Sequence, residues 1–411
     1  MTSTAQLFRV FGKIGLLSFG GPAAQIALMH GELVDRHKWL TEKEFLSGLS
    51  FCMLLPGPEA MQLATYSGWR LRGIWGGLLA GLLFVVPGAA VIMALAAIYV
   101  HFGDVSVVKT LFVGIKAAVL AIVIEALIKV AKRAFRQPLH WVLAALSFLA
   151  LFVLALPFPA VIAAAALAGY AFSSSSDDAP AQSPPKSTPL RTIATWLVLW
   201  WAPVLMLYLL GFDLLFDVAL FFSKLAAVTF GGAYAVLAYM GQEVVTQLGW
   251  LTAGQMIDGL GLAETTPGPL ILVTEFVGFL AGYTAGGWGL AIAAALVTLW
   301  VTFVPCFLWI FTGAPYIAWL GAQPRLSAAL SGITAAVVGV IANLSLWFAM
   351  SVLFSDVNRR AWGWWPDLST FDPLAGLLSV IAAVLLLRQK WSVVAVLASA
   401  AVLALGLGQI T

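Results

Sequence analysis

Charged side chains are scarce in this chain of 411 residues. Aspartate, glutamate, lysine and arginine together make up 9% of it, whereas 62% is hydrophobic. A soluble protein of this length needs far more charge on its surface, so the composition excludes a soluble globular fold. The formal net charge of +3 is also too small to indicate binding to nucleic acid. The scarcity of charge indicates a protein embedded in a membrane.

Cysteine and histidine are rare as well. Cys52 and Cys306 both fall in apolar segments, and the four histidines lack the spacing of metal ligands. We therefore expect no disulfide, no metal site and no cofactor. The sequence contains no nucleophile elbow and no soluble catalytic domain, so an integral membrane enzyme is the weaker alternative.

Apolar windows of about 20 residues, the length that spans a bilayer, recur along the whole chain. They predict an all-α polytopic integral membrane protein with about 12–13 transmembrane or re-entrant helices. The windows lie near 6–30, 45–68, 74–100, 107–131, 138–156, 157–172, 192–212, 215–240, 253–282, 286–314, 326–352, 373–388 and 391–409. The Ser- and Pro-rich stretch at 173–189 cannot form a core and is predicted to be a flexible linker.

The chain contains an internal repeat. Residues 11–58 align with residues 222–269 without a gap, and 18 of the 48 pairs are identical. Composition alone gives roughly four identities, so the two halves are homologous. We divide the chain into a first transporter repeat (1–172), a linker with a connecting transmembrane segment (173–212) and a second repeat (213–411).

The number of segments and the positions of basic residues predict how the halves are oriented. If the N-terminus is cytoplasmic and every segment crosses, twelve lysines and arginines lie on the cytoplasmic side and six outside. An odd number of crossings between the copies places the second half upside down. We therefore predict an inverted repeat, with a binding site where the halves meet.

Two motifs interrupt the apolar segments, and both recur in the repeat. SFGG (18–21) is matched by TFGG (229–232), and PGP (56–58) by PGP (267–269). Glycine and proline disfavour a continuous helix, so each motif predicts a helix break, and a break at membrane depth is tolerated when it lines a cavity. Close helix packing and a simple kink are the structural alternatives.

Charged residues inside the segments are the other candidates. Lys13 and Lys224 lie two helical turns before the paired glycines and either contact an anion or extend to the membrane surface. Glu59, Glu125 and Glu264 are predicted proton carriers, because intramembrane carboxylates titrate near neutrality. A helix cap at Glu59 and a structural hydrogen bond at Glu125 are the alternatives.

The paired motifs resemble those of the chromate transporter family in its long, two-half form. The resemblance rests on SFGGPAAQIA, LLPGPEAMQLA, FGGAYAVLAYM and ETTPGPL, and it covers essentially the whole chain except the linker. It implies chromate efflux and resistance by proton-coupled or anion exchange. The chain departs from the family pattern at Gln25, where many members carry histidine, and at Glu59, where many carry a small residue.

These observations together predict a secondary transporter in the bacterial cytoplasmic (inner) membrane. It would export chromate, and also sulfate, by proton- or anion-coupled exchange; an anion channel and an uptake transporter for sulfate or another oxyanion are the alternatives. The expected partners are a small inorganic oxyanion and membrane lipid, with a homodimer left open. The predicted substrate-binding residues are Lys13, Ser18, Phe19, Gly20, Gly21, Pro56, Gly57, Pro58, Lys224, Thr229, Phe230, Gly231, Gly232, Thr266, Pro267, Gly268 and Pro269.

Overall fold

The computed structural model describes residues 2–103, 105–172, 190–230, 233–317, 319, 323–360 and 363–407. These residues are almost entirely α-helical, which confirms the predicted all-α class. The first half contains α1 (Thr4–Leu17), α2 (Gly21–His30), α3 (Glu42–Cys52), α4 (Glu59–Phe102), α5 (Ser106–Ala134), α6 (Pro138–Phe152) and α7 (Phe158–Ala171). The predicted linker at 173–189 lies outside the described residues.

In the part of the second half that the structure describes, eight further helices follow, and they repeat much of the first series. They are α8 (Leu190–Leu209), α9 (Asp213–Val228), α10 (Ala233–Gln242), α11 (Ala253–Thr265), α12 (Val273–Gly313), α13 (Pro324–Leu353), α14 (Pro373–Ala383) and α15 (Val393–Leu407). Short π-helical turns at Gly31–Arg36 and Glu243–Gln247 end α2 and α10 in the same way. A hairpin that the sequence did not predict, β1 (Val357–Arg360) with β2 (Gly363–Pro366), precedes α14.

Among the described residues, five helical stretches are long and apolar enough to cross a membrane. They are α4, α5, α8, the stretch Leu270–Tyr316 that contains α12, and α13. A helix of 20 residues covers about 30 Å, the thickness of the hydrocarbon layer. The helices α6, α7 and α15, together with Pro373–Arg388, are shorter and apolar. The protein is therefore a multi-pass membrane protein.

Four of the predicted segments are divided between two helices. Segment 6–30 is split between α1 and α2, and segment 45–68 between α3 and α4. In the second half, segment 215–240 is split between α9 and α10, and segment 253–282 between α11 and α12. The interruptions fall at the glycine and proline motifs, because proline lacks an N–H donor and glycine adopts backbone conformations closed to other residues.

Both α4 and α12 are helical hairpins, each with a glycine at its hinge. Gly73 has φ 61° and ψ −155°, and Gly287 has φ 75° and ψ −158°, a region that is open essentially to glycine alone. After each hinge the second arm folds back on the first. Gly68 then lies against the backbone of Gly76, where any side chain would collide with it.

The described residues form two compact units, each assembled from both halves of the sequence. The first unit takes its residues from Met1–Ala96, Ser174–Ala233 and Thr266–Ser327. In its core α12 packs on α8 and α9. Aromatic side chains join these helices: Trp196 stacks on Phe307, and the Trp200 Nε1 donates to the Ser223 Oγ at 3.0 Å. All four break motifs belong to this unit.

The second unit takes its residues from Ala97–Ser173, Tyr234–Thr265 and Ala328–Thr411. Its central helix is α5, which packs against α11, α14 and α15. A cluster of fully buried Ala117, Leu378 and Ala404 marks the core. Gly114 allows the backbone of α15 to approach α5 closely at Ala400.

Candidate functional site: two helix breaks joined crosswise

The SFGG segment ends α1 and begins α2. The buried Ser18 hydroxyl donates to the Ile14 carbonyl at 2.5 Å and so completes the last turn of α1. Gly20 and Gly21 follow with φ values of 85° and 77°, which place them in the left-handed region. A side chain is disfavoured at both positions, so the break depends on the glycine pair. Phe19, between Ser18 and Gly20, is 40% exposed.

The TFGG segment uses the same device at the end of α9. The buried Thr229 hydroxyl donates to the Leu225 carbonyl at 2.5 Å, as Ser18 does in the first half. Phe230 is partly buried. The two predicted residues Gly231 and Gly232 lie outside the described residues.

The two PGP motifs form the other pair of breaks. All six residues are buried, and Gly57 and Gly268 have φ values of 122° and 91°. The first helix after each break begins almost at once: α4 begins at Glu59, and a 3-10 turn at Leu270–Leu272 leads into α12.

The breaks of the two halves are bonded to each other crosswise. The Gly57 N–H donates to the Thr229 carbonyl at 2.8 Å, and the Gly268 N–H donates to the Ser18 carbonyl at 2.9 Å. The glycine of each PGP motif therefore donates to the first residue of the SFGG or TFGG motif in the other half. This reciprocal pairing brings Ser18, Thr229 and the two PGP motifs into one site.

Two glutamine side chains hold the break backbone in place. The Gln25 Nε2 donates to the Gly268 carbonyl at 2.6 Å and to the Ser18 carbonyl at 3.3 Å. The Gln62 Nε2 donates to the Pro56 carbonyl at 2.7 Å. Both side chains are buried, and Gln62 was not predicted as a site residue. Its only sequence signal is an amide in an apolar helix just after a proline break, where carbonyl groups are left without helical donors.

The crossed site is tightly packed. A Cβ atom on Gly57 would lie 2.7 Å from the Gln62 Nε2 and 3.0 Å from the Cys306 Sγ. A Cβ on Gly88, from the second arm of α4, would collide with the carbonyl oxygen of Pro267. Because the N–H groups of Gly57 and Gly268 are bonded to protein carbonyls, an anion here would have to use other donors. The first N–H groups of α2 and α4 have no partner within their own helices.

The two predicted lysines differ in their surroundings. The Lys13 Nζ lies 2.5 Å from a carboxylate oxygen of the buried Glu32. Burial raises the pKa of Glu32, but Lys13 and Arg36 outweigh this effect and lower the pKa below its usual value. Lys224 is exposed, and within the described part of the chain it has no ion pair. Of the two, Lys224 is therefore the one whose charge is not already balanced by a carboxylate.

The three predicted proton carriers also have different surroundings. Glu59 is the first residue of α4 and is partly buried. Glu264 is buried on α11 and accepts a hydrogen bond of 2.7 Å from the Tyr234 hydroxyl. Glu125 lies 2.8 Å from the Lys129 Nζ, one helical turn along α5. Lys129 thus balances the charge of Glu125 on the same helix.

A charged cluster in the second unit was not predicted. The buried Asp258 on α11 accepts a hydrogen bond of 2.9 Å from the Tyr99 hydroxyl and lies 3.5 Å from the Lys116 Nζ. Lys116 lies on α5, and its partner comes from a helix far away in the sequence. The only sequence signal was a lone aspartate in an apolar stretch.

A helical membrane protein with duplicated, crosswise-bonded breaks has the general plan of a secondary transporter. The family model described as chromate transporter matches residues 5–170 and 216–405. The chain belongs to the chromate transporter family, as its motifs indicated.

Curated relatives support the family assignment over most of the chain. The chromate transport protein of Cupriavidus metallidurans is 32% identical over 82% of this chain and 80% of its own length. The chromate transport protein of Pseudomonas aeruginosa is 33% identical over 82% and 79%, respectively. The probable chromate transport protein of Synechococcus elongatus is 31% identical over 93% and 90%. No solved structure matches this chain significantly.

Proposed function

We propose that this protein exports chromate across the bacterial cytoplasmic membrane by proton- or anion-coupled exchange, and that the crossed breaks are its substrate site. The observation that carries the proposal is the reciprocal pair of hydrogen bonds, from Gly57 to Thr229 and from Gly268 to Ser18. This pairing sets the start of α4 and the end of α9 side by side within one unit.

The chemistry of the breaks suits a tetrahedral oxyanion. The starts of α2 and α4 carry N–H donors and the positive ends of helix dipoles, which stabilise anions without a fixed charge. Lys224, and Lys13 once it separates from Glu32, can add positive charge on the helices that lead into the breaks. Sulfate has the same shape and charge as chromate, so we expect both anions to compete.

Flux measurements in proteoliposomes test the proposal. Purified protein is reconstituted, and labelled chromate is followed with and without a pH gradient, with sulfate as competitor. Uphill chromate movement driven by the gradient, in the direction equivalent to export, supports a coupled exporter. Flux that only dissipates an anion gradient identifies a channel. Uphill movement in the opposite direction identifies an uptake transporter.

A variant pair ties the flux to the breaks. Gly268→Ala places a Cβ at a positive φ beside the Phe84 carbonyl, whereas Gly12→Ala on α1 meets open space. Loss of flux in Gly268→Ala with normal flux in Gly12→Ala supports the crossed breaks as the substrate site. Equal flux in the two variants contradicts it.

A further inference from the structure

We infer that Glu275 binds and releases the proton that drives transport, an inference that rests on the proposed coupled exchange. Glu275 lies in the first turn of α12, shortly after the break at Gly268 and in the same unit as the crossed breaks. Its side chain is 1% exposed. Neither carboxyl oxygen has a hydrogen-bond partner among the described residues.

The other buried carboxyl groups in the described residues all have partners. Glu32 accepts from Lys13, Asp258 from Tyr99, and Glu264 from Tyr234. Glu275 therefore stands apart: it is the most deeply buried of the four, and neither of its carboxyl oxygens has a hydrogen-bond partner. A buried polar group without a partner is rare in a native protein and calls for a functional explanation.

No nearby charge compensates Glu275. The helices packed most extensively on α12 are α8 and α9, and their charged side chains are exposed. The arms of α4 also touch α12, at Gly77 and Gly81. The charged residues of α8 and α9 are Arg191, Asp213, Asp217 and Lys224.

The surroundings of Glu275 make its protonation depend on conformation. A carboxylate buried without a partner is strongly disfavoured, so in this arrangement the group carries a proton. When α12 moves and water reaches the carboxyl, the charged form is solvated and the proton leaves. A proton bound in one state and released in the other is the requirement for coupling.

The pseudo-symmetric position in the first half carries no carboxyl group. When the two hairpins are aligned at their hinge glycines, Gly73 and Gly287, Met61 is the residue that corresponds to Glu275. At this position, therefore, only the second half carries a carboxyl group; in the first half the nearest one is Glu59, at the start of α4. A neutral acid also avoids repelling a dianion at the adjacent breaks, so anion passage and protonation are compatible.

Chemical labelling tests whether Glu275 is protonated. Dicyclohexylcarbodiimide reacts with protonated carboxyl groups in apolar surroundings, and peptide mass spectrometry locates the adduct in the reconstituted wild-type protein. We expect an adduct on Glu275 that declines as the pH rises and when saturating chromate is present. An adduct that is absent from Glu275 at every pH overturns the inference, and this readout needs no variant.

Transport by Glu275→Gln tests coupling. We expect chromate–chromate exchange within about threefold of wild type, whereas accumulation driven by a pH gradient falls more than tenfold. Asp217→Asn, which removes an exposed carboxyl from α9, is the matched control and should keep both activities. If Glu275→Gln keeps full gradient-driven accumulation, Glu275 does not carry the coupling proton and only fills space in the core.

The two proposals fail in different ways. If the wild-type protein moves no chromate or sulfate, the proposed function fails, and the coupling role fails with it. If the wild type shows coupled flux but Glu275→Gln is equally coupled, only the inference fails. Should Glu275→Gln not fold, Glu275→Asp keeps a titratable group, and an unchanged pH profile of its transport likewise contradicts the inference.

Discussion

Replacing Gly57 by alanine should disable transport more severely than any other single methyl group added at the breaks. Gly57 has φ 122°, and forcing a non-glycine residue into such a region costs about 1–3 kcal/mol. The new Cβ would also lie 2.7 Å from the Gln62 Nε2 and 3.0 Å from the Cys306 Sγ. Overpacking of this kind adds about 1–3 kcal/mol. The total, about 2–6 kcal/mol, is a large part of the 5–15 kcal/mol that typically stabilises a folded protein.

The three glycine variants should lose stability and transport to different extents. At Gly268 the closest contact of an added Cβ is 3.2 Å, to a flexible leucine side chain, so Gly268→Ala should destabilise less than Gly57→Ala. Gly12→Ala meets nothing within 4 Å and should be neutral or slightly stabilising. Thermal unfolding of the detergent-solubilised variants and chromate flux after reconstitution give the two rankings. If Gly57→Ala unfolds and transports like wild type, or if Gly268→Ala is the more damaged, the argument from packing is refuted.

Three further predictions concern charge and orientation. Lys224→Ala should weaken chromate transport by one to two decades in apparent affinity, since a charge-assisted contact contributes about 1.5–3 kcal/mol; unchanged concentration dependence would show that the lysine only reaches for the membrane surface. Neutralising either Lys116 or Asp258 alone should lower the unfolding temperature more than replacing both together with apolar residues, because a single change leaves an unpaired charge. Equal effects of the single and double changes would argue against the pair. Cysteines introduced at Arg36 and Gln247 should react with an impermeant maleimide from opposite sides of the membrane, and labelling from one side at both positions would defeat the inverted repeat.

The positions of the breaks could be predicted from the sequence because their cause is local. The glycine pair after Ser18 and the PGP motifs interrupt helices wherever they occur, and the repeat showed that both halves need the interruption. The all-α class followed for a similar reason, since only apolar helices fit the composition. The breaks depend on neighbouring residues and the class on apolar windows of about 20 residues, and both can be read along the chain.

The connections between the breaks could not be predicted because they join residues far apart in the chain. Nothing near Gly57 indicates that its N–H donates to Thr229, and the partner of Lys116 lies on a different helix. Glu275 was overlooked for the same reason. Its distinguishing property is the absence of any partner, and only the packed structure reveals this.

The hinge glycines reverse the chain within α4 and α12. The apolar windows at 74–100 and 286–314 begin just after Gly73 and close to Gly287, so the pattern predicted a turn between the arms but not the glycine conformation that makes it. A hydropathy pattern contains no information on backbone conformation. The positive φ of a single residue decides whether two apolar arms continue or fold back.

The crosswise bonds also make each half of the chain incomplete by itself. A polypeptide ending before the linker would bury the Gly57 N–H without Thr229 and the Ser18 carbonyl without Gly268. Two such half-length chains could satisfy one another by lying head to tail, each lending the other its missing acceptor. In the fused protein both halves are always present, so a mutation in one break leaves a hydrogen-bonding group of the other half without its partner.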